Sequence, residues 1–293
     1  MKLLYLFPIL VLSLTKTSAE SKEWRIDFGR SEFAYTYGAA TKYATRTTAA
    51  GWNNVSVATQ TEKGAATLSS SYFAETVSKD NASVSATYAQ QNANTVTIYD
   101  SENNADSHLS LSISKDSSIG TFDTIKSSKA PTDALFNDTP RPDWIPTNAY
   151  GDFIYTYLND NNSGAFTLTI SGFKAGLYNL TIIAGGNSYM GSVYEGNDAT
   201  ATYTLNDEST YTITGTNAAG GGYAGVLEWQ EVEIDAEGLL TLKVEGGYLG
   251  EENGIQKYTA AAINTMVITM VPEPASSTLG LILMCGFAAR RRR

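Results

Sequence analysis

Apolar and polar side chains trade places at every second position along much of this chain, in short runs broken by turn residues. Period two belongs to a strand with one face in a core, because successive side chains point to opposite sides of a pleat. Trp24, Ile26 and Phe28 alternate with Arg25 and Asp27, and Val84, Ala86 and Tyr88 with Ser85 and Thr87. Leu109, Leu111 and Ile113 oppose His108, Ser110, Ser112 and Ser114. Phe166, Leu168 and Ile170 oppose Thr167, Thr169 and Ser171, while Leu240, Leu242 and Val244 oppose Thr241, Lys243 and Glu245. Ala201, Tyr203 and Leu205 lead through a turn at Asn206-Asp207-Glu208 to Tyr211 and Ile213. No long helix-period stretch competes with these runs, and the chain is expected to be all-β.

Residues 180–184 and 263–271 are apolar on both faces, which predicts central strands. Many short strands separated by turns such as residues 159–164 argue for an antiparallel β-sandwich. Residues 131–151 hold four of the seven prolines with Trp144 and Tyr150, and read as a long ordered loop. No repeat recurs at a fixed period. The expected organisation is one sandwich over residues 20–270, between a signal peptide (1–19) and a sorting segment (271–293).

Both ends carry the marks of export. Lys2 and the apolar residues 3–14 precede Thr17-Ser18-Ala19, a small-residue site at which cleavage after Ala19 is expected. At the other end, Pro272-Glu273-Pro274 is followed by an apolar stretch over 275–289 and then Arg290, Arg291, Arg292 and Arg293. That stretch is short of the ~20 residues a relaxed spanning helix needs. Four arginines resist translocation, so they are expected to stay cytoplasmic with the preceding chain outside. The two prolines keep the backbone around Glu273 extended and open to a protease. This order closely resembles the PEP-CTERM sorting signal. The resemblance implies processing by an exosortase, transient insertion of the tail helix in the inner membrane, and a final place in the cell envelope or outside the cell.

A second resemblance runs through the body of the chain. Ile26-Asp27-Phe28-Gly29, then Gly51-Trp52-Asn53-Asn54-Val55, are similar to the opening of galactose-binding-like jelly-roll modules. Phe166-Thr167-Leu168-Thr169-Ile170-Ser171-Gly172-Phe173 running to Gly176-Leu177-Tyr178-Asn179-Leu180-Thr181 resembles their middle strands. Residues 238–244 and 261–268 resemble their last two. Residues 61–130 fall outside the pattern and read as an insertion or extra strands. The resemblance implies a jelly roll, with carbohydrate binding in some relatives and scaffolding in others.

Charge and composition exclude several classes. Residues 20–270 hold 14 basic against 29 acidic side chains, a formal charge of −15, so nucleic acid is not a partner. Cys285 is the only cysteine and lies in the tail, so the sandwich forms no disulfide. His108 is the only histidine; it reads as an exposed strand residue, and a His/Cys zinc site lacks ligands. Paired carboxylates could serve hydrolysis, with Asp152, Glu195, Asp198, Glu228, Glu231, Glu233, Glu251 and Glu252 as candidates, but 29 acids give such pairs by chance. Gly220, Gly222 and Gly225 match a dinucleotide spacing, yet a strand follows them, so they belong to a hairpin loop. Asn159-Asp160-Asn161-Asn162-Ser163-Gly164 lacks the first Asp of a calcium loop and has Ile170 at its twelfth position, so it is a turn. A structural Ca²⁺ suits a jelly roll, but the sequence assigns it no ligands. No other cofactor is expected.

Aromatic rings in Gly-, Asn- and Pro-rich segments are candidate sugar platforms: Trp144, Tyr150, Tyr189 and Tyr223, with Tyr194 and Tyr248 beside them. Trp24, Trp52 and Trp229 sit in strand-like context and are assigned to the core. The expectation is a non-enzymatic envelope or matrix protein that binds exopolysaccharide. The alternatives are a secreted polysaccharide lyase or glycoside hydrolase on the same sandwich, and a purely structural matrix protein.

Overall fold

The alternating runs become strands, twenty-one among the described residues. The computed structural model describes residues 21–29, 35–37, 40–42, 50–74, 87–104, 107–116, 121–125, 153–156, 164–186, 199–214 and 223–272. In chain order the strands begin with β1 (Glu23–Phe28), β2 (Tyr35–Tyr37), β3 (Ala40–Lys42), β4 (Trp52–Val57), β5 (Gly64–Ala65), β6 (Leu68–Phe73) and β7 (Tyr88–Ala93). Next come β8 (Thr95–Ile98), β9 (Leu109–Lys115), β10 (Phe122–Ile125), β11 (Phe153–Thr156), β12 (Ala165–Ser171), β13 (Gly176–Gly186) and β14 (Thr200–Leu205). Last are β15 (Ser209–Thr214), β16 (Tyr223–Ile234), β17 (Leu239–Gly246), β18 (Tyr248–Glu252), β19 (Ile255–Tyr258), β20 (Ala262–Ile263) and β21 (Thr265–Met270).

Two large sheets hold most of them. The first runs β16-β13-β21-β1-β4-β6-β7, and the second β15-β14-β17-β12-β9-β5 with β8 also on β9. A three-stranded sheet β10-β11-β20 and the ribbons β18-β19 and β2-β3 complete the set. All pairs are antiparallel except β1 with β4, which run parallel from Arg25↔Trp52 to Phe28↔Val55. The antiparallel expectation is thus met with one exception. Residues 61–130, left without a counterpart in the resemblance, supply β6 and β7 to one sheet and β8 and β9 to the other.

The core forms where the alternating faces meet. Ile26, Phe28, Leu111, Phe166, Leu168, Leu180, Tyr203 and Leu242 are sealed from solvent. Trp24, Trp52 and Trp229 are buried as expected. The two stretches apolar on both faces are central: β13 lies between β16 and β21, and β21 between β13 and β1. Residues 22–271 form one compact unit.

Strand register defines two ends of this sandwich. Glu23, Phe73, Ile98, Ser171, Leu239 and Met270 mark the first. Phe28, Ala165, Glu245 and Thr265 mark the second. Among the described residues no helix is long and apolar enough to cross a membrane. Ala19, the expected tail helix over 275–289 and the terminal arginines lie outside the described residues.

Candidate functional site

The site at the first end grows from Asn53. Its side chain, 1% exposed in β4, acts as an added strand residue. Nδ2 donates to the carbonyls of Arg25 (3.0 Å) and Tyr99 (2.7 Å), and Oδ1 accepts from the Tyr99 N–H (2.8 Å). The chain leaving β8 is thereby fastened across the start of β1. Asp100 then fixes the following turn by accepting the N–H groups of Glu102 and Asn104, the Asn104 amide and the Ser107 hydroxyl. Burial alone would push the Asp100 carboxyl up. The bonds from Ser107, Asn104 and Glu102 outweigh it and hold the carboxyl below its ordinary value. Trp24 closes the turn, its Nε1 donating to the Ser107 carbonyl at 2.7 Å.

Four rings meet on this scaffold. Tyr88 and Tyr99 stack with centroids 4.4 Å apart and planes 9° from parallel. Tyr72 tilts against both, at 6.3 Å from Tyr88 and 5.2 Å from Tyr99. His108 meets Tyr99 edge-on at 4.5 Å. Burial raises the Tyr72 phenol, helped by the charge of Asp100 and by Tyr88 and opposed by Arg25. Burial and then Tyr88 raise Tyr99. Both phenols therefore stay neutral and keep a proton to donate. Tyr88 itself is 41% exposed, so one side is fixed by Tyr99 and the remainder faces water. Gln90 shares its face of β7, two residues along. A half-exposed ring on a rigid base can take the C–H face of a pyranose, while the Gln90 Oε1 is already engaged, accepting the Thr97 N–H.

A second aromatic pair stands at the other end. Tyr248, 50% exposed, meets Tyr258 edge-on at 5.6 Å across the β18-β19 ribbon. The Tyr258 hydroxyl donates to Gln256 Oε1 at 2.9 Å, and Lys257 pairs with Glu252 at 3.7 Å.

A third feature is an open groove of about 480 Å³ at the first end. It is lined by Asp207, Glu208, Glu233, Asp235 and Glu237 with Leu239. All five acids are exposed, so water already solvates their charge.

The predicted platforms fare unevenly. Trp144, Tyr150, Tyr189 and Tyr194 lie outside the described residues, and Tyr223 opens β16. Tyr248, expected in a loop, opens strand β18 and is exposed. Of the candidate acids, Glu228, Glu231 and Glu233 lie exposed along β16 and Glu251 and Glu252 on β18, while Asp152, Glu195 and Asp198 lie outside the described residues. His108 departs from the expectation: it precedes β9, is half-buried, and its enclosed Nε2 has no hydrogen-bond partner among the described residues. Tyr99 covers it, which no alternation pattern can show. Val84 and Ala86 of the expected alternating run lie outside the described residues; Tyr88, its last member, opens β7 with its ring exposed and not in the core. The Tyr88–Tyr99 platform itself escapes sequence reading, because Tyr88 is placed by the pairing of β7 with β6 and Tyr99, just after β8, by its bonds to Asn53.

No protein-family model and no curated protein matches the chain. Among solved structures it is similar to TmCBM61 in complex with β-1,4-galactotriose, at 10% identity over 56% of this chain and 88% of that one, TM-score 0.28. It is also similar to a family 35 carbohydrate-binding module from an environmental isolate, at 17% identity over 38% and 73%, TM-score 0.22. A third is CBM35 from Cellvibrio japonicus Abf62, at 11% identity over 52% and 98%, TM-score 0.23. Scores of this size fall well short of a shared topology, so a ligand has to be argued from the chain's own residues.

Proposed function

We propose that this chain is an exported, exosortase-sorted protein of the cell envelope or extracellular matrix, and that its galactose-binding-like jelly roll holds polysaccharide without turning it over. The observation that carries the binding half is the Tyr88–Tyr99 stack, rigid on its inner side and open on its outer one. A large ring held in place by its neighbours loses little conformational freedom when a ligand arrives, so its contact area is not offset by ordering. The segments similar to the jelly-roll modules fall on β1, β4, β12, β13, β17, β20 and β21, which supports that topology.

Affinity electrophoresis of the purified full chain through polysaccharide-containing gels tests the binding half. Retention is expected for the wild-type chain, and Tyr88→Ala is expected to weaken it by about 3–10-fold, with no change in thermal midpoint. Retention unaffected by the substitution would remove Tyr88 from the site. No retention on any polymer, including the producer's own, would end the binding claim and leave a structural matrix role.

The sorting half rests on Pro272-Glu273-Pro274 and Arg290 to Arg293. Intact-mass analysis of native material is expected to show a chain missing residues 1–19 and cut near Glu273. Recovery of the whole tail from the cytosol would overturn it.

The acidic groove favours one further reading, a polysaccharide lyase or glycoside hydrolase using a carboxylate pair such as one including Glu233. New reducing ends or unsaturated products from a glycan panel would establish it, and the non-enzymatic reading would then fall.

A further inference from the structure

We infer that the chain bridges two strands of a neutral polysaccharide, one held at each end of the sandwich; this rests on the reading of Tyr88 as a glycan platform. Tyr88 pairs with Tyr72, beside Phe73 and the start of β4, which places it at the first end. Tyr248 follows Gly246 and Gly247, and Gly246 pairs with the N-terminal part of β14. The Gly246 N–H also donates to the Gly164 carbonyl just before β12. Tyr248 therefore stands at the second end. Seven residues of β12 separate the two ends, about 20 Å at the usual strand rise.

The two platforms also belong to different sheets. Tyr88 lies on β7, the edge strand of the first sheet, whereas Tyr248 opens the separate β18-β19 ribbon that follows β17 of the second. One extended polymer would have to wrap around the sandwich to meet both rings. Two polymers can each meet one. Tyr88 and Tyr248 are among the most exposed large apolar side chains of the described residues, and each leans on a second tyrosine that fixes it.

Charge selects the polymer class. The Asp207–Glu237 groove lies at the first end, on the β16 side of the sheet across from β7, and Glu251 and Glu252 follow Tyr248 along β18 at the second. With residues 20–270 at a formal −15, a polyuronate meets like charge on approach to either ring. A neutral polymer does not.

The test uses the full chain with hydroxyethyl cellulose and galactomannan as neutral probes and alginate as the polyanionic control. Affinity electrophoresis reads binding, and light scattering of dilute polymer reads bridging. The wild-type chain is expected to be retained by a neutral probe and to raise its scattering, with alginate inert at low salt. Tyr88→Ala and Tyr248→Ala are each expected to keep partial retention while abolishing the scattering rise, and the double variant to lose retention. Both side chains are exposed, so the variants should match the wild-type thermal melt.

If Tyr88→Ala alone removes retention and Tyr248→Ala changes neither readout, the binding reading stands and bridging falls. If both single variants still raise scattering, the proposed second site is wrong. Stronger retention by alginate than by both neutral probes would overturn the charge argument. No retention of the wild-type chain by any probe would sink the underlying glycan reading itself.

Discussion

Gly246→Ala is expected to lower the thermal midpoint by about 10 °C, a loss on the order of 3–5 kcal/mol in a unit of this size. A Cβ at Gly246 would lie 1.7 Å from the carbonyl oxygen of Thr259. That oxygen belongs to backbone and cannot rotate away. The Thr259 N–H donates to the Gly247 carbonyl at 2.8 Å, and the Gly247 N–H donates to the Thr200 carbonyl and the Thr259 hydroxyl, each at 2.8 Å. Thr259 in turn donates its hydroxyl to the Thr200 carbonyl. Relief of the clash therefore has to break a knot of buried hydrogen bonds where β14, β17 and the β19–β20 link converge. Gly254→Ala makes the contrast. Gly254 has φ +78° and open space around it, so alanine there costs only the left-handed backbone, about 1–2 kcal/mol. Calorimetry of the two variants separates crowding from backbone strain; equal shifts would refute the packing account.

Asn53→Ala is expected to cost about 3–5 kcal/mol, because three backbone groups lose their partner while the site stays shielded from water, at roughly 1–3 kcal/mol for each buried group. The carbonyls of Arg25 and Tyr99 and the N–H of Tyr99 are the groups that lose this side chain. Asn53→Asp is the informative companion. It keeps an acceptor for the Tyr99 N–H but turns an oxygen toward two carbonyls, so it should be at least as damaging despite its similar shape. Denaturant unfolding measures both. Because Tyr99 backs Tyr88, Asn53→Ala should also weaken glycan retention under conditions where the variant remains folded. A folded Asn53→Ala chain with wild-type stability would show that the carboxamide is not the fastening.

What the sequence made legible is the set of strands that bury one face. β1, β9, β12, β14 and β17 announce themselves, since each presents an apolar residue at every second position to the same core. β7 does not. Its residues Tyr88-Ala89-Gln90-Gln91-Asn92-Ala93 occupy a sheet edge with little to bury, so no alternation is required of them. The parallel pairing of β1 with β4 is equally silent, because both strands carry the same pattern they would show if antiparallel. Asn53 and Asn54 were visible as a motif, but Asn53 acts on residues 28 and 46 positions away. The candidate site is hard to read for the same reason: its rings are assembled by register and by side-chain bonds, neither of which leaves a local trace. Tyr248 was picked out from its glycine-rich surroundings, a cue that reports exposure and not partnership.

The pairing of β1 with β21 joins Glu23 to Thr269, 246 positions apart. Until Thr265–Met270 arrives to fill the place between β13 and β1, each of those strands presents a bare row of amides and carbonyls. Folding thus waits on nearly the whole polypeptide, and such distant closure is slow. A chain crossing a bilayer would do so unzipped, and one severed ahead of Thr265 would be an aggregation hazard instead of a smaller, self-sufficient domain.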